Sequence, residues 1–180
     1  MAAWLLAHGA KDELSPMDRF VAACASGNQA QANSLLKEHP NLRSDLRPEH
    51  HLMMHTPAER GDAKILETML QCGFDPNAKD SNGVEALHRA SMGGHVEAVK
   101  VLLANGASVN AVDGMFAATP LVWACEGWRH TSQNGADHVE VARLLLAAGS
   151  PREWAAPEKA PDREGTQERL TELCRAAEAP

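Results

Sequence analysis

No stretch of this chain approaches the roughly 18–20 consecutive apolar residues that a membrane-spanning helix needs. The start, Met1-Ala-Ala-Trp-Leu-Leu-Ala-His-Gly-Ala, lacks a basic flank and carries too short an apolar run for a secretory leader, so a soluble, cytoplasmic protein outside any membrane is expected. Cys24, Cys72, Cys125 and Cys174 form no CxxC pair, which argues against a zinc knuckle and a thioredoxin-like motif. They read as reduced, small core residues. No run of Lys or Arg exceeds two residues in a chain of formal charge −7, so nothing overrides the repulsion of a phosphate backbone. Nucleic acid is not an expected partner. There is also no nucleophile–base pair and no glycine-rich phosphate loop. Catalysis would have to be assembled from His130, Glu126 and Arg89 without a motif, and the expected reading is a non-catalytic protein.

What is present is a period. The 180 residues, 44% hydrophobic and 23% charged, are enough for one continuous core, and self-similarity organises most of them. Residues 81–110 contain a glycine turn, a short helix with Leu87-His88, a Gly94-His95 turn, a second helix with Leu102-Leu103 and a Gly106-Ala107 stop. The same grammar lies upstream, where Gly61 precedes Gly94 and Gly73 precedes Gly106 by 33 residues each. Gly27 stands 34 residues before Gly61. Downstream, Thr119-Pro-Leu-Val-Trp-Ala-Cys-Glu-Gly127 opens a fourth copy that resumes at His138 and stops at Gly149, with about nine extra residues between its helices. Val99, Leu102 and Leu103 recur at helical intervals and face a first helix built on Leu87, Ala90 and Ser91. One such unit cannot bury both faces alone, so stability has to come from stacking.

Gly-x-x-x-Leu-His-x-Ala, Gly-His-Val-Glu-Ala-Val-x-Val-Leu-Leu and Gly-Ala-x-Val-Asn-Ala resemble the ankyrin repeat over roughly residues 15–150. The divergent unit Asp18-Arg-Phe-Val-Ala-Ala-Cys24, together with a Trp-containing insertion in the last copy, is similar to a group of bacterial ankyrin proteins. The resemblance implies an all-α solenoid of stacked helix–turn–helix units with short hairpin-like turns. The division it suggests is an N-terminal half-repeat or cap at 1–14 and four repeats at about 15–47, 48–80, 81–113 and 114–150, the last with an insertion at 128–136. A proline-bearing linker at 151–165 and a capping helix at 166–180 follow. In that helix Leu170, Leu173, Cys174 and Ala177 fall on one stripe. The apolar face around Trp4 and Leu5 would receive preceding repeats, or would serve self-association if the half-repeat is a cap.

The repeat accounts for four of the nine histidines. His55 and His88 hold the Leu-His position, where the resemblance implies a bond to the backbone of the neighbouring hairpin, and His95 and His138 follow the turn before the second helix. His51 and His55 are spaced i, i+4 and could chelate a divalent ion with a third ligand such as Glu49 or Glu59. His55 already has a structural role, so neither a metal site nor a cofactor is expected. The fourth unit departs most from the pattern: Leu121-Val122 replaces Leu-His, and Trp123 follows. Its insertion reads as a flexible polar loop. The expected binding surface is a concave groove of Glu59, Arg60, Arg89, Met92, Trp123, Glu126, Trp128, Arg129 and His130, with aromatic and arginine anchors of the type that dominate binding hot spots. A protein partner is the leading expectation. The alternatives are a small-molecule ligand or enzyme chemistry in a pocket around Trp123, Glu126, Trp128 and His130, and a self-associating scaffold.

Overall fold

A computed structural model describes residues 14–130, 137–155 and 163–179, and the described residues contain helices and turns but no strand. The half-repeat expected at the front therefore lies outside the described residues, save Leu14. Four helical pairs follow in order. The first is α1 (Pro16–Ala25) with α2 (Gln29–Glu38). Pro16 sits at the first helical position, and Ser15 and Asp18 close a reciprocal cap in which Asp18 N donates to Ser15 Oγ at 3.1 Å and Ser15 N donates to Asp18 Oδ2 at 3.2 Å.

The second pair is the least regular. A short α3 (Pro48–His51) and a 3-10 turn (Leu52–Met54) lead into α4 (His55–Arg60), which pairs with α5 (Ala63–Gln71). Gly61 ends α4 in the left-handed conformation, φ 75°, which a side chain would strain. The 3-10 turn between His51 and His55 gives the two rings separate duties. His51 Nδ1 accepts from Asp75 N at 3.1 Å, and its ring stands edge-on to Phe74, whereas His55 Nε2 bonds Ala78 O at 3.2 Å. The third pair is α6 (Ala86–Met92) with α7 (Val96–Ala104), and the fourth is α8 (Pro120–His130) with α9 (His138–Ala147).

First helices stack on first helices (α4, α6, α8) and second helices on second helices (α5, α7, α9). The core is correspondingly periodic: Met54 and Leu87, then Leu66 and Val99, then Met69 and Leu102 are 33 residues apart and all buried. Cys24, Cys72, Cys125 and Cys174 are buried within it. Removal from water pushes the Cys125 thiol up to about 12, which fits a small core residue. The final helix, α10 (Arg163–Glu178), lies across α9 and α8 and buries Leu170, Leu173 and Ala177. The all-α stack implied by the repeat is the architecture found.

One expectation is corrected. The insertion was expected to begin as a loop at Trp128, but α8 runs through Gly127 to His130, so Trp128 and Arg129 are helical. Gly127 does not take the positive φ with which Gly61 and Gly94 end the corresponding helices. Without that reversal the helix continues. Residues 131–136 and the side chain of His130 lie outside the described residues.

Candidate functional site

Histidines tie one unit to the next and define what the inner side of the stack leaves available. His88 is fully buried. Its Nδ1 accepts from Glu85 N at 3.1 Å, which assigns the proton to Nε2, and Nε2 donates to Ala118 O at 3.2 Å in the next unit. Burial holds both His55 and His88 below the ordinary imidazole range, consistent with neutral rings. In the other direction His95 Nε2 reaches Glu59 O at 2.9 Å, and His138 Nε2 reaches Met92 O at 3.0 Å. Three of these rings are rungs between units, and His55, bonded to Ala78 O, braces the turn of its own unit. Glu59, Arg60 and Met92, at the ends of the helices that the rungs tie down, remain with exposed side chains.

The fourth unit builds a pocket. The segment before α8 folds around Asp113, whose Oδ1 accepts from Met115 N at 2.8 Å and Phe116 N at 2.6 Å. Its Oδ2 accepts from Ala118 N at 3.3 Å and from the indole Nε1 of Trp123 at 2.9 Å. Ala117 takes φ 49° within this loop, the one described residue other than glycine with positive φ. The Trp123 ring is further fixed by the edge of His88, 5.5 Å between centroids, and by the Arg89 guanidinium 5.9 Å from its centroid. Arg89 is in turn held by Asp80 at 3.2 Å.

Opposite stand Trp154 and α10. Trp154, 9% exposed, donates from Nε1 to Phe116 O at 3.1 Å and from its backbone N to Gln167 Oε1 at 3.1 Å. Between these walls lies a half-open cavity of about 350 Å³, lined chiefly by Met92, Phe116, Ala118, Val122, Trp123 and Trp154. Its polar side is formed by Glu126, Arg129, Thr166 and Arg169. Glu126 Oε1 accepts from Thr166 Oγ1 at 2.9 Å and Arg169 Nη2 at 3.2 Å, while Arg129 Nε lies 3.9 Å from Glu126 Oε2.

Of the residues expected to form a groove, Met92, Trp123, Glu126 and Arg129 meet at this cavity, and Arg89 buttresses it from behind Trp123. Trp128 does not line it; that ring is half-buried against the core. Glu59 and Arg60 belong to the second unit and stay apart from it. Phe116, Trp154, Thr166 and Arg169 were not anticipated. A tryptophan in an otherwise polar, proline-bearing linker was the available signal for Trp154, since so large an apolar surface is seldom left in water.

Stacked helical pairs with a continuous core, the last three pinned to one another by histidine rungs, define a repeat protein of the solenoid class. The family model described as ankyrin repeats (three copies) matches residues 19–113 and, in an overlapping register, 52–153. The chain belongs to the ankyrin-repeat family. It is similar to the E3 ubiquitin-protein ligase KEG of Arabidopsis thaliana, 30% identical over 160 residues that are 88% of this chain and 9% of that protein. The probable E3 ubiquitin-protein ligase XBOS32 of rice, Oryza sativa subsp. japonica, is 27% identical over 86% of this chain and 30% of its own length. The palmitoyltransferase Hip14 of Drosophila melanogaster is 37% identical over 49% of this chain and 12% of its own. The chain thus spans less than a third of the length of each of these relatives. Among the described residues no helix is long and apolar enough to cross a membrane.

Proposed function

We propose that this chain is a non-catalytic binding module that holds a protein partner along the inner, concave side of its stack, across the exposed ends of α4, α6 and α8. The reading is carried by one contrast. His88, His95 and His138 are consumed in tying units together and His55 in bracing its own, whereas Glu59, Arg60 and Met92 beside them present exposed side chains that the stack does not need. A rigid row of mixed charged and apolar side chains on a scaffold of fixed spacing suits recognition by shape and a few anchors. Ankyrin repeats generally mediate protein–protein interaction, which supports the same reading. The printed names of the relatives, ubiquitin ligases and a palmitoyltransferase, describe much longer proteins and assign no partner here.

The test is affinity capture from the natural host with the wild type and a Glu59→Ala/Arg60→Ala variant, each protein in the complexes quantified. Loss of the same captured protein with an unchanged melting temperature supports the inner face. Identical capture by both removes it.

A further inference from the structure

We propose that Cys24 and Cys72 form a peroxide-sensitive redox switch, in which a disulfide between them fastens the first helical pair to the second and low-molecular-weight thiols release it. Both sulfurs are buried in the core, and neither is part of the inner binding face.

Cys72 closes α5 of the second unit, yet its sulfur is met by the first. Helix α1 packs on α5, and the Cys24 and Cys72 side chains are hydrogen-bonded to each other. Gln29, the first residue of α2, makes a second hydrogen bond to the Cys72 sulfur. Arg43, at the end of the 3-10 turn Pro40–Arg43, places its charge beside it. With the thiols already in contact, side-chain rotation has little distance to cover before an S–S bond can form. The repeat asks for no sulfur at either place: the corresponding residues one step on, 34 and 33 positions later, are Ala58 and Asn105.

The two thiols differ in the way a switch requires. The hydrogen bond from Cys24, then the Arg43 guanidinium and the bond from Gln29, hold the Cys72 thiol below the ordinary thiol range against the opposing cost of burial. Cys24, whose proton is engaged in that bond, is pushed up. Cys72 is therefore the nucleophile and Cys24 the resolving thiol, whereas burial raises Cys125 and Cys174 and leaves them inert. Arg43 also covers Cys72. Its exposed side chain lies over Gly73, where a Cβ would stand 2.5 Å from Arg43 Cγ, and its Nη2 donates to Gln71 O at 3.0 Å. Displacing one exposed side chain suits an oxidant as small as hydrogen peroxide. The Cys72 thiolate attacks one peroxide oxygen and the O–O bond breaks, leaving a sulfenic acid, while the departing hydroxide takes up the proton that Cys72 released. The Cys24 sulfur then attacks the Cys72 sulfur, the S–O bond breaks, and hydroxide leaves as water with the Cys24 proton. Two thiols become one disulfide as one peroxide becomes two waters. Glutathione reverses this by two exchange steps and is itself oxidised to its disulfide.

The experiment treats the full, reduced chain with equimolar hydrogen peroxide at neutral pH, blocks the remaining thiols with N-ethylmaleimide in denaturant and maps the peptides by mass spectrometry. Cys24 should be linked to Cys72 within one chain, with Cys125 and Cys174 blocked, and glutathione should restore all four thiols. Cys24→Ser should instead leave a Cys72 sulfenic acid that dimedone labels. Arg43→Met, which retains the stem over Gly73 but not the charge, should move the pH midpoint of oxidation upward. In the disulfide form, amide exchange in α1 and α2 should slow about tenfold or more, because the link constrains the opened chain. The wild-type map decides the linkage whether or not the variants fold. The proposal is overturned if Cys24 and Cys72 remain thiols, if all four cysteines oxidise alike, if the link joins separate chains, or if the folded chain forms it no faster than the chain unfolded in urea. A disulfide that leaves exchange in α1 and α2 unchanged would also overturn it, since the bond would then switch nothing.

Discussion

Trp123 donates its indole proton to Asp113 at 2.9 Å, so the side chain that walls the pocket and the carboxylate that folds the preceding loop form one unit. Asp113 is nearly inaccessible and takes three backbone N–H bonds as well. Asp113→Ala leaves four donors without their acceptor and should cost more than about 2 kcal/mol, since each buried unsatisfied group costs about 1–3 kcal/mol and water can reach only some of them. Trp123→Phe removes a single donor and leaves the loop bonds in place, so its loss should be clearly smaller. Urea unfolding of the two variants beside the wild type measures both. Equal losses would mean that the indole bond, not the loop, dominates.

Gly127 gives a case where two effects oppose each other. It lies inside α8, where alanine is favoured over glycine by about 1 kcal/mol on propensity alone. A Cβ there, however, would stand 2.1 Å from Met92 O and 2.6 Å from His138 Nε2, the two atoms of a rung between units. Backbone and a bonded ring cannot step aside cheaply, and overpacking of this kind costs about 1–3 kcal/mol. Gly127→Ala should therefore lower the melting temperature. Gly106→Ala meets no atom within 4 Å and bears only the strain of φ 85°, and should be the milder change.

The buried rings make stability fall on mild acidification. His55 and His88 are held below the ordinary 6.5, chiefly by burial. Above 6.5 both states carry neutral rings and the contribution is fully present. As pH falls through that value the unfolded chain takes up protons that the folded chain refuses, and stability is lost down to the folded-state values. Glu85, next to His88 through its backbone bond, acts oppositely: burial raises its carboxyl, so protonation below its own range favours the fold. The clean window is thus about pH 7.5 to about pH 6. Melting temperature should drop across it, and a His55→Gln/His88→Gln variant should show a flatter profile. A double variant with the wild-type slope would place the titration elsewhere.

The 33-residue step, the helical pairs and the backbone bonds of His55 and His88 were legible because each is a local pattern repeated in register, whereas the reach of His95 and His138 back to Glu59 O and Met92 O crosses units and was not. The pocket was half legible. Met92, Trp123, Glu126 and Arg129 belong to the repeat and its departure, so they could be named; Trp154, Thr166 and Arg169 reach it from a segment whose docking direction no period encodes. Gly127 misled in the other direction. A glycine at the repeat's stop position reads as a helix end, but that reading depends on a positive φ, and the lengthened connection to His138 removed the need for the turn.

Helix α10 supplies the last prediction, because a solenoid couples only neighbours. Leu170 and Leu173 are fully buried against the fourth pair, and replacing either by alanine should cost about 2–5 kcal/mol of local stability. In a globular core that loss would spread through the whole molecule. Here each pair contacts mainly the next, so the effect should fade within a unit or two. Native-state amide exchange of Leu173→Ala should therefore quicken in α8, α9 and α10 while α4 and α5 keep wild-type protection. Because Thr166 and Arg169 on α10 hold Glu126, the same variant should also loosen the pocket. Uniform quickening along the chain would show that the stack unfolds as one cooperative body.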